Sequence, residues 1–103
     1  MTLSALRWTV ILRDGGCVAS RLDKLHSCRD RWGQPHLPTD LDSLTLEHVT
    51  EHAGGKRRDE ERWTLALCHH ANVIEHWSAA NRAIALAYLA GVRAGLEHGR
   101  RAA

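Results

Sequence analysis

The stretch LTLEHVTEHAGGKRRDEERWTLALCHHANVIEH, residues 44 to 76, decides the fold. Its opening residues alternate, with Leu44, Leu46 and His48 on one face and Thr45, Glu47 and Val49 on the other, the period of two expected of a half-buried strand. A second short apolar run, Thr64 to Leu67, suits the partner strand, and the polar segment from Thr50 to Arg62 joins the two as a hairpin with a long connection. From Cys68 to His76 the pattern becomes that of a helix or helical turn, on which His69, Asn72 and His76 align as i, i+3 and i+7. Polar chelating groups thus gather on one stripe, next to a strand that carries Glu47 and His48.

Toward the N-terminus, LSALRWTVILR (Leu3 to Arg13) places Leu3, Leu6, Val10, Trp8 and Ile11 on a broad helical face, and Asp14-Gly15-Gly16 supplies a stop. Residues 17 to 43 lack sustained periodicity beyond one short turn around Leu22 to Leu25, and Gly33, Pro35 and Pro38 break up the rest. Loops of this length inside a domain are uncommon unless something pins them, and a metal bound by Cys17 and Cys28 would do so. Toward the C-terminus, Ser78 suits the N-cap of an Ala-rich helix reaching about Glu97. Ile84, Leu86, Tyr88, Leu89, Val92 and Leu96 give that helix its apolar surface. Arg100 and Arg101 follow as a short basic tail. The expected architecture is α+β: one domain over residues 1–103, with a hairpin-and-helix core at 44–76 and a C-terminal helix at about 78–97.

Size and composition narrow the chemistry. The chain has 103 residues, 44% of them hydrophobic but only 5% aromatic with no Phe, and chains this small often supplement their core with a metal or a partner. A formal charge of +2 permits contact with a polyanion without requiring it. Lys56, Arg57, Arg58 and Arg62 cluster, but Glu51, Asp59, Glu60 and Glu61 cancel them. No basic leader or cleavage site follows Met1, and no apolar run approaches membrane-spanning length, so the expectation is a protein of the cytoplasm without a membrane partner. Three Cys and eight His then favour metal binding or plain burial over a disulfide framework.

Imidazole, carboxylate and amide side chains together suit phosphodiester hydrolysis. An imidazole titrates near neutrality and takes a proton from water, and a divalent ion held by oxygen and nitrogen stabilises charge on the phosphate. The segment resembles the ββα-metal motif of HNH nucleases. Glu47 and His48 match its acidic residue and following base, Leu67-Cys68 matches the start of its L-C-x-x-C-H or L-C-x-x-C-N helix segment, and Asn72 and His76 match its returning ligands. The resemblance implies a metal-dependent endonuclease acting on DNA. His48 would be the base, Glu47, Asn72 and His76 would hold one divalent cation (Mg, Mn, Ni or Zn), and Lys56, Arg57 and Arg58 would lie along the DNA backbone. It also implies a phage setting, with packaging proteins as partners and the host cytoplasm as location. The sequence departs from the motif at Trp63, where the family has a central Asn that Thr64 or Asp59 would have to replace, and at Ala71, where a second Cys is usual.

A separate structural zinc would draw on Cys17, Cys28 and Cys68 with His69 or His70 as fourth ligand, His70 being preferred because its side chain points away from the His69, Asn72 and His76 stripe. His26, His36, His52 and His98 read as ordinary surface or loop histidines. Trp8, Trp32, Trp63 and Trp77 read as core, with Trp32 also placed beside Arg29 and Arg31 for contact with nucleic acid. The competing reading is a zinc-stabilised DNA-binding or interaction module with an HNH-like fold and no catalysis, which Trp63 favours.

Overall fold

A computed structural model describes residues 1–102, with the side chains of residues 100–102 left out; the basic tail at Arg100 and Arg101 therefore lies outside the described side chains. Helix α1 (Leu3–Asp14) is followed by a short α2 (Val18–Leu22), an irregular segment, strand β1 (Leu44–His48), strand β2 (Thr64–Cys68), a π turn (His70–Ile74), a short α3 (Trp77–Ala80) and the long α4 (Arg82–Ala102). The two strands pair antiparallel, with Leu44 opposite Cys68 and His48 opposite Thr64. This is an α+β fold of ββα-metal type: a two-stranded sheet with flanking helices and a metal-competent His/Cys cluster. No helix among the described residues is long and apolar enough to cross a membrane.

The Thr2 hydroxyl caps α1 by accepting from Ala5 N at 3.1 Å. Gly15, at φ 69°, closes it by donating from its backbone N–H to Ile11 O, a left-handed step that glycine takes without strain. The helix lays Leu6, Val10 and Ile11 on the sheet, where they meet Leu44, Leu65, Leu67 and Leu89. Full burial of such side chains contributes about 1.5–3 kcal/mol each. Asp14 is buried as well and acts as a polar rivet. Its carboxylate accepts from Ala66 N at 2.9 Å and from the neighbouring Arg13 guanidinium at 2.8 Å, and the Tyr88 hydroxyl donates to it from α4. One carboxylate thereby ties α1 to β2 and α4.

Three expectations need correction. The C-terminal helix does not start from a Ser78 cap. A short turn, Trp77–Ala80, ends at Asn81 (φ −123°, ψ 42°), and α4 begins at Arg82; the Asn81 amide donates to Trp77 O at 2.9 Å, the local alternative to helix that Asn side chains offer. The helical turn expected from Cys68 to His76 is a π turn over His70–Ile74, with Glu75 N donating to His70 O at 2.9 Å, and His76 lies beyond it at a left-handed φ of 49°, so His69, Asn72 and His76 do not continue one regular helix. Only Trp77 of the four tryptophans is core. Trp8 and Trp32 are exposed, and Trp63 is half-buried. The turn expected around Leu22 to Leu25 is present, with His26 N donating to Asp23 O at 3.1 Å, and is preceded by the short helix α2, whose Val18 and Ala19 pack in the core.

Candidate metal centre and adjoining cleft

Cys17 immediately precedes α2, His26 and Cys28 lie in the irregular segment after it, and Cys68 ends β2. The fold brings one donor atom from each of these four residues within 4.8 Å of one another. Zinc bonded to sulfur at about 2.3 Å and to imidazole at about 2.0–2.1 Å sets tetrahedral donors roughly 3.5–3.8 Å apart, so closing on an ion needs only a small contraction. His26 Nε2 already stands 3.2 Å from Cys68 Sγ, and Cys68 N donates to Cys17 Sγ at 3.4 Å. All three cysteines are buried and unpaired, and the His26 side chain is 0% exposed.

The three thiols are not equivalent. Hydrogen bonding from the Cys68 thiol brings the Cys17 thiol down to about 4. The Cys68 thiol is pushed far up, first because it donates that bond and then by burial, and burial raises Cys28. One thiol ionises readily and two resist, as expected where three thiolates would crowd one dry pocket; a positive ion among them reverses that preference. Ala71 N donates to Cys68 Sγ at 3.4 Å, and the Ser20 hydroxyl lies 3.0 Å from Cys28 Sγ, contacts suited to thiolate sulfur. A donor set of three sulfurs and one imidazole nitrogen fits zinc.

The imidazole of this cluster is His26 and not His70. His70 Nε2 faces Glu75 Oε1 at 3.3 Å, and the same oxygen lies 3.2 Å from His26 Nδ1. The available signal was His26-Ser27-Cys28, two ligand types one residue apart, in a stretch whose lack of periodicity hid its role. Glu75 carried no signal at all, because its position depends on the π turn.

A cleft of about 310 Å³ opens where β1 ends. Glu47, His48, Arg57, His76, Ser78 and Arg82 are among its walls, with Gly54 and Gly55 at the rim. Glu47 is only 7% exposed. Burial pushes its carboxyl up, against the opposing pull of Ser78 and Arg57. His48 Nε2 lies 2.6 Å from Asp59 Oδ1. His76 is the one non-glycine residue among those described with a left-handed backbone, φ 49°, and this step turns the chain from the π turn into α3.

The remaining expected residues are dispersed. Asn72 turns away from the cleft walls and braces β1, its amide donating to Thr45 Oγ1 at 2.9 Å and to Leu46 O at 3.3 Å. His69 opens instead onto a hollow shared with Arg7, Arg31 and Trp32. Of the basic run, Lys56 is exposed, Arg57 reaches the cleft, and Arg58 stacks on Trp63 at 4.3 Å while pairing with Glu51 at 3.2 Å. Arg93 covers Trp63 at 4.6 Å, so α4 and the hairpin connection share that ring. Among the described residues, the Cys/His cluster is the one place where three or more His, Cys, Asp or Glu donors lie within 4.8 Å of one another. Glu47, His48 and His76 share the cleft walls without converging to that degree. Ser78 and Arg82 join this site unannounced by the sequence, since each depends on where the break at Asn81 falls. No family model matches the chain, and no curated protein or solved structure matches it either.

Proposed function

We propose that this protein is a zinc-stabilised ββα-metal module that binds a nucleic-acid backbone at the cleft beside its hairpin. The convergence of Cys17, His26, Cys28 and Cys68 carries the reading: a buried, unpaired set of three thiols and an imidazole has few uses other than holding an ion. Arg57 and Arg82, both walls of the cleft, supply the phosphate contacts, and no side chain in this reading discriminates bases. The test is metal analysis of freshly purified protein, followed by duplex binding across a salt series. About one zinc per chain is expected, with a salt slope that falls by about one unit for each of Arg57→Ala and Arg82→Ala. Protein purified without zinc under reducing conditions, yet fully folded, would refute the metal half; unchanged slopes would refute the cleft.

A second reading is favoured by Glu47, His48 and His76 lining one cleft, and by the resemblance of residues 44–76 to HNH nucleases: a metal-dependent endonuclease acting on DNA. The contact with Asp59 keeps a proton on Nε2 of His48, leaving Nδ1 as the atom that accepts a proton from water. Glu47 and His76 would hold the divalent ion, which supplies charge stabilisation at the phosphate when bound. Arg57 and Arg82 hold and orient the backbone across the cleft. Supercoiled plasmid incubated with Mg, Mn or Ni separates the readings. Nicking abolished in a folded His48→Ala variant supports the enzyme; binding without nicking under all three metals leaves the first reading.

A further inference from the structure

We propose that Glu75 is the positioning residue of the metal centre: its carboxylate holds the His26 ring so that Nε2 faces the three sulfurs. The proposal rests on the zinc reading above. An imidazole that gives one nitrogen to a metal carries its proton on the other, and a buried N–H needs an acceptor. His26 is buried to 0% side-chain exposure, with Nε2 3.2 Å from Cys68 Sγ on one side and Nδ1 3.2 Å from Glu75 Oε1 on the other. That second contact has the distance of an ion pair but not yet the alignment of a hydrogen bond. Glu75 Oε1 is the acceptor within reach of that nitrogen.

The backbone is built for this contact. In an α-helix, residues four apart stack, whereas in a π turn residues five apart do so. The bond from Glu75 N to His70 O at 2.9 Å therefore sets Glu75 over His70, and His70 Nε2 in turn stands 3.3 Å from the same Oε1. One carboxylate oxygen is thereby shared by His26, which meets the metal, and His70, which does not. His70 N also donates to Arg29 O at 3.1 Å, so the turn that carries Glu75 is fastened to the strand-like segment just past Cys28. The extra residue in the winding, a rare feature found mostly at functional sites, places the carboxylate where the ligand needs it.

The experiment is zinc competition against a chromophoric chelator with the full chain under reductant. Glu75→Gln is expected to weaken zinc about 10–100-fold, and Glu75→Asp, whose carboxylate is withdrawn by one methylene, to fall between. His70→Ala, which removes no group facing the ion, should change affinity much less. A purely structural role is separated by the ligand swap His26→Cys. A thiolate has no second nitrogen to satisfy, so in that background Glu75→Gln should no longer matter. The cobalt-substituted protein reports geometry independently: at saturation the Glu75→Gln spectrum should match the parent's, reached at higher cobalt. If the Gln variant fails to refold, Glu75→Asp carries the same comparison in both backgrounds. Parent-like affinity in Glu75→Gln, or a loss that persists undiminished beside His26→Cys, overturns the proposal while leaving the zinc reading intact. A parent protein that takes up no zinc overturns that reading and the proposal together.

Discussion

If the Cys/His cluster holds zinc as proposed, removing the metal should unravel one defined part of the chain. From residue 20 to residue 43, the side chains of Cys28 and His26 are buried among those described, and most others are exposed. Fixing the backbone costs about 1–2 kcal/mol per residue, so ordering even ten of these residues costs on the order of 10–20 kcal/mol, and burial of two side chains returns only about 2–4 kcal/mol. With free zinc a thousandfold above Kd the loaded form gains about 4 kcal/mol, and each 1 kcal/mol moves Tm by roughly 4–8 °C in a chain of this size. Chelation under reducing conditions is therefore expected to lower Tm by roughly 15–30 °C. It should also release amide protection across residues 20–43 before the hairpin and α1 are affected. Thermal melts with and without chelator, paired with hydrogen exchange resolved by peptide, measure both. Coincident melts with unchanged protection in that segment would refute the reasoning.

Three further outcomes follow from other contacts. Burial, and then its bond to Asp14, raise the Tyr88 hydroxyl to about 12. The neutral form is therefore preferred in the fold, and its stabilisation is intact below about pH 10 and fades as pH climbs through 12. Urea unfolding should show the parent losing on the order of 1–2 kcal/mol over that range after allowance for solvent screening, with Tyr88→Phe lacking the loss; parallel pH profiles would count against it. Glu47 is raised by burial, so its charged form is disfavoured in the fold. Glu47→Gln should match the parent in stability at pH values below the ordinary carboxylate range and exceed it increasingly as pH rises through the raised value, with neutral-pH denaturation as the check; a less stable variant at pH 7 would contradict the account. Trp63→Leu removes the ring that Arg58 and Arg93 flank, and should cost about 1–2 kcal/mol from two cation–π contacts, whereas a neutral result in chemical denaturation would mean the stack is incidental.

The sequence disclosed what depends on local period and little of what depends on closure. The alternation in LTLEH and the short TLALC run lead directly to β1 and β2, and Gly15 marks the end of α1 to within a residue of expectation. Glu47 and His48 were legible because a charged pair inside an apolar strand stands out. His26 was not: in a stretch without periodicity its neighbours say nothing about where it goes, and the ring finds Cys68 only after the chain has folded back over 42 positions. The stripe of His69, Asn72 and His76 failed for a specific reason, since it assumed one regular helix of 3.6 residues per turn, whereas the chain winds more widely from His70 to Ile74 and takes a left-handed step at His76. The split between α3 and α4 was hidden in Asn81, whose side chain competes with the helix for the same carbonyl.

The order of the four clustered residues along the chain has a consequence for synthesis. Cys17, His26 and Cys28 leave the ribosome long before Cys68, which closes the cluster from the far end of the hairpin. At about 5–20 residues per second, the early thiols spend a few seconds with an incomplete set of ligands. During that interval they are open to oxidation or to capture of the wrong ion, so if the cluster holds zinc as proposed, correct loading would depend on reducing conditions and on available metal while the chain is still being made.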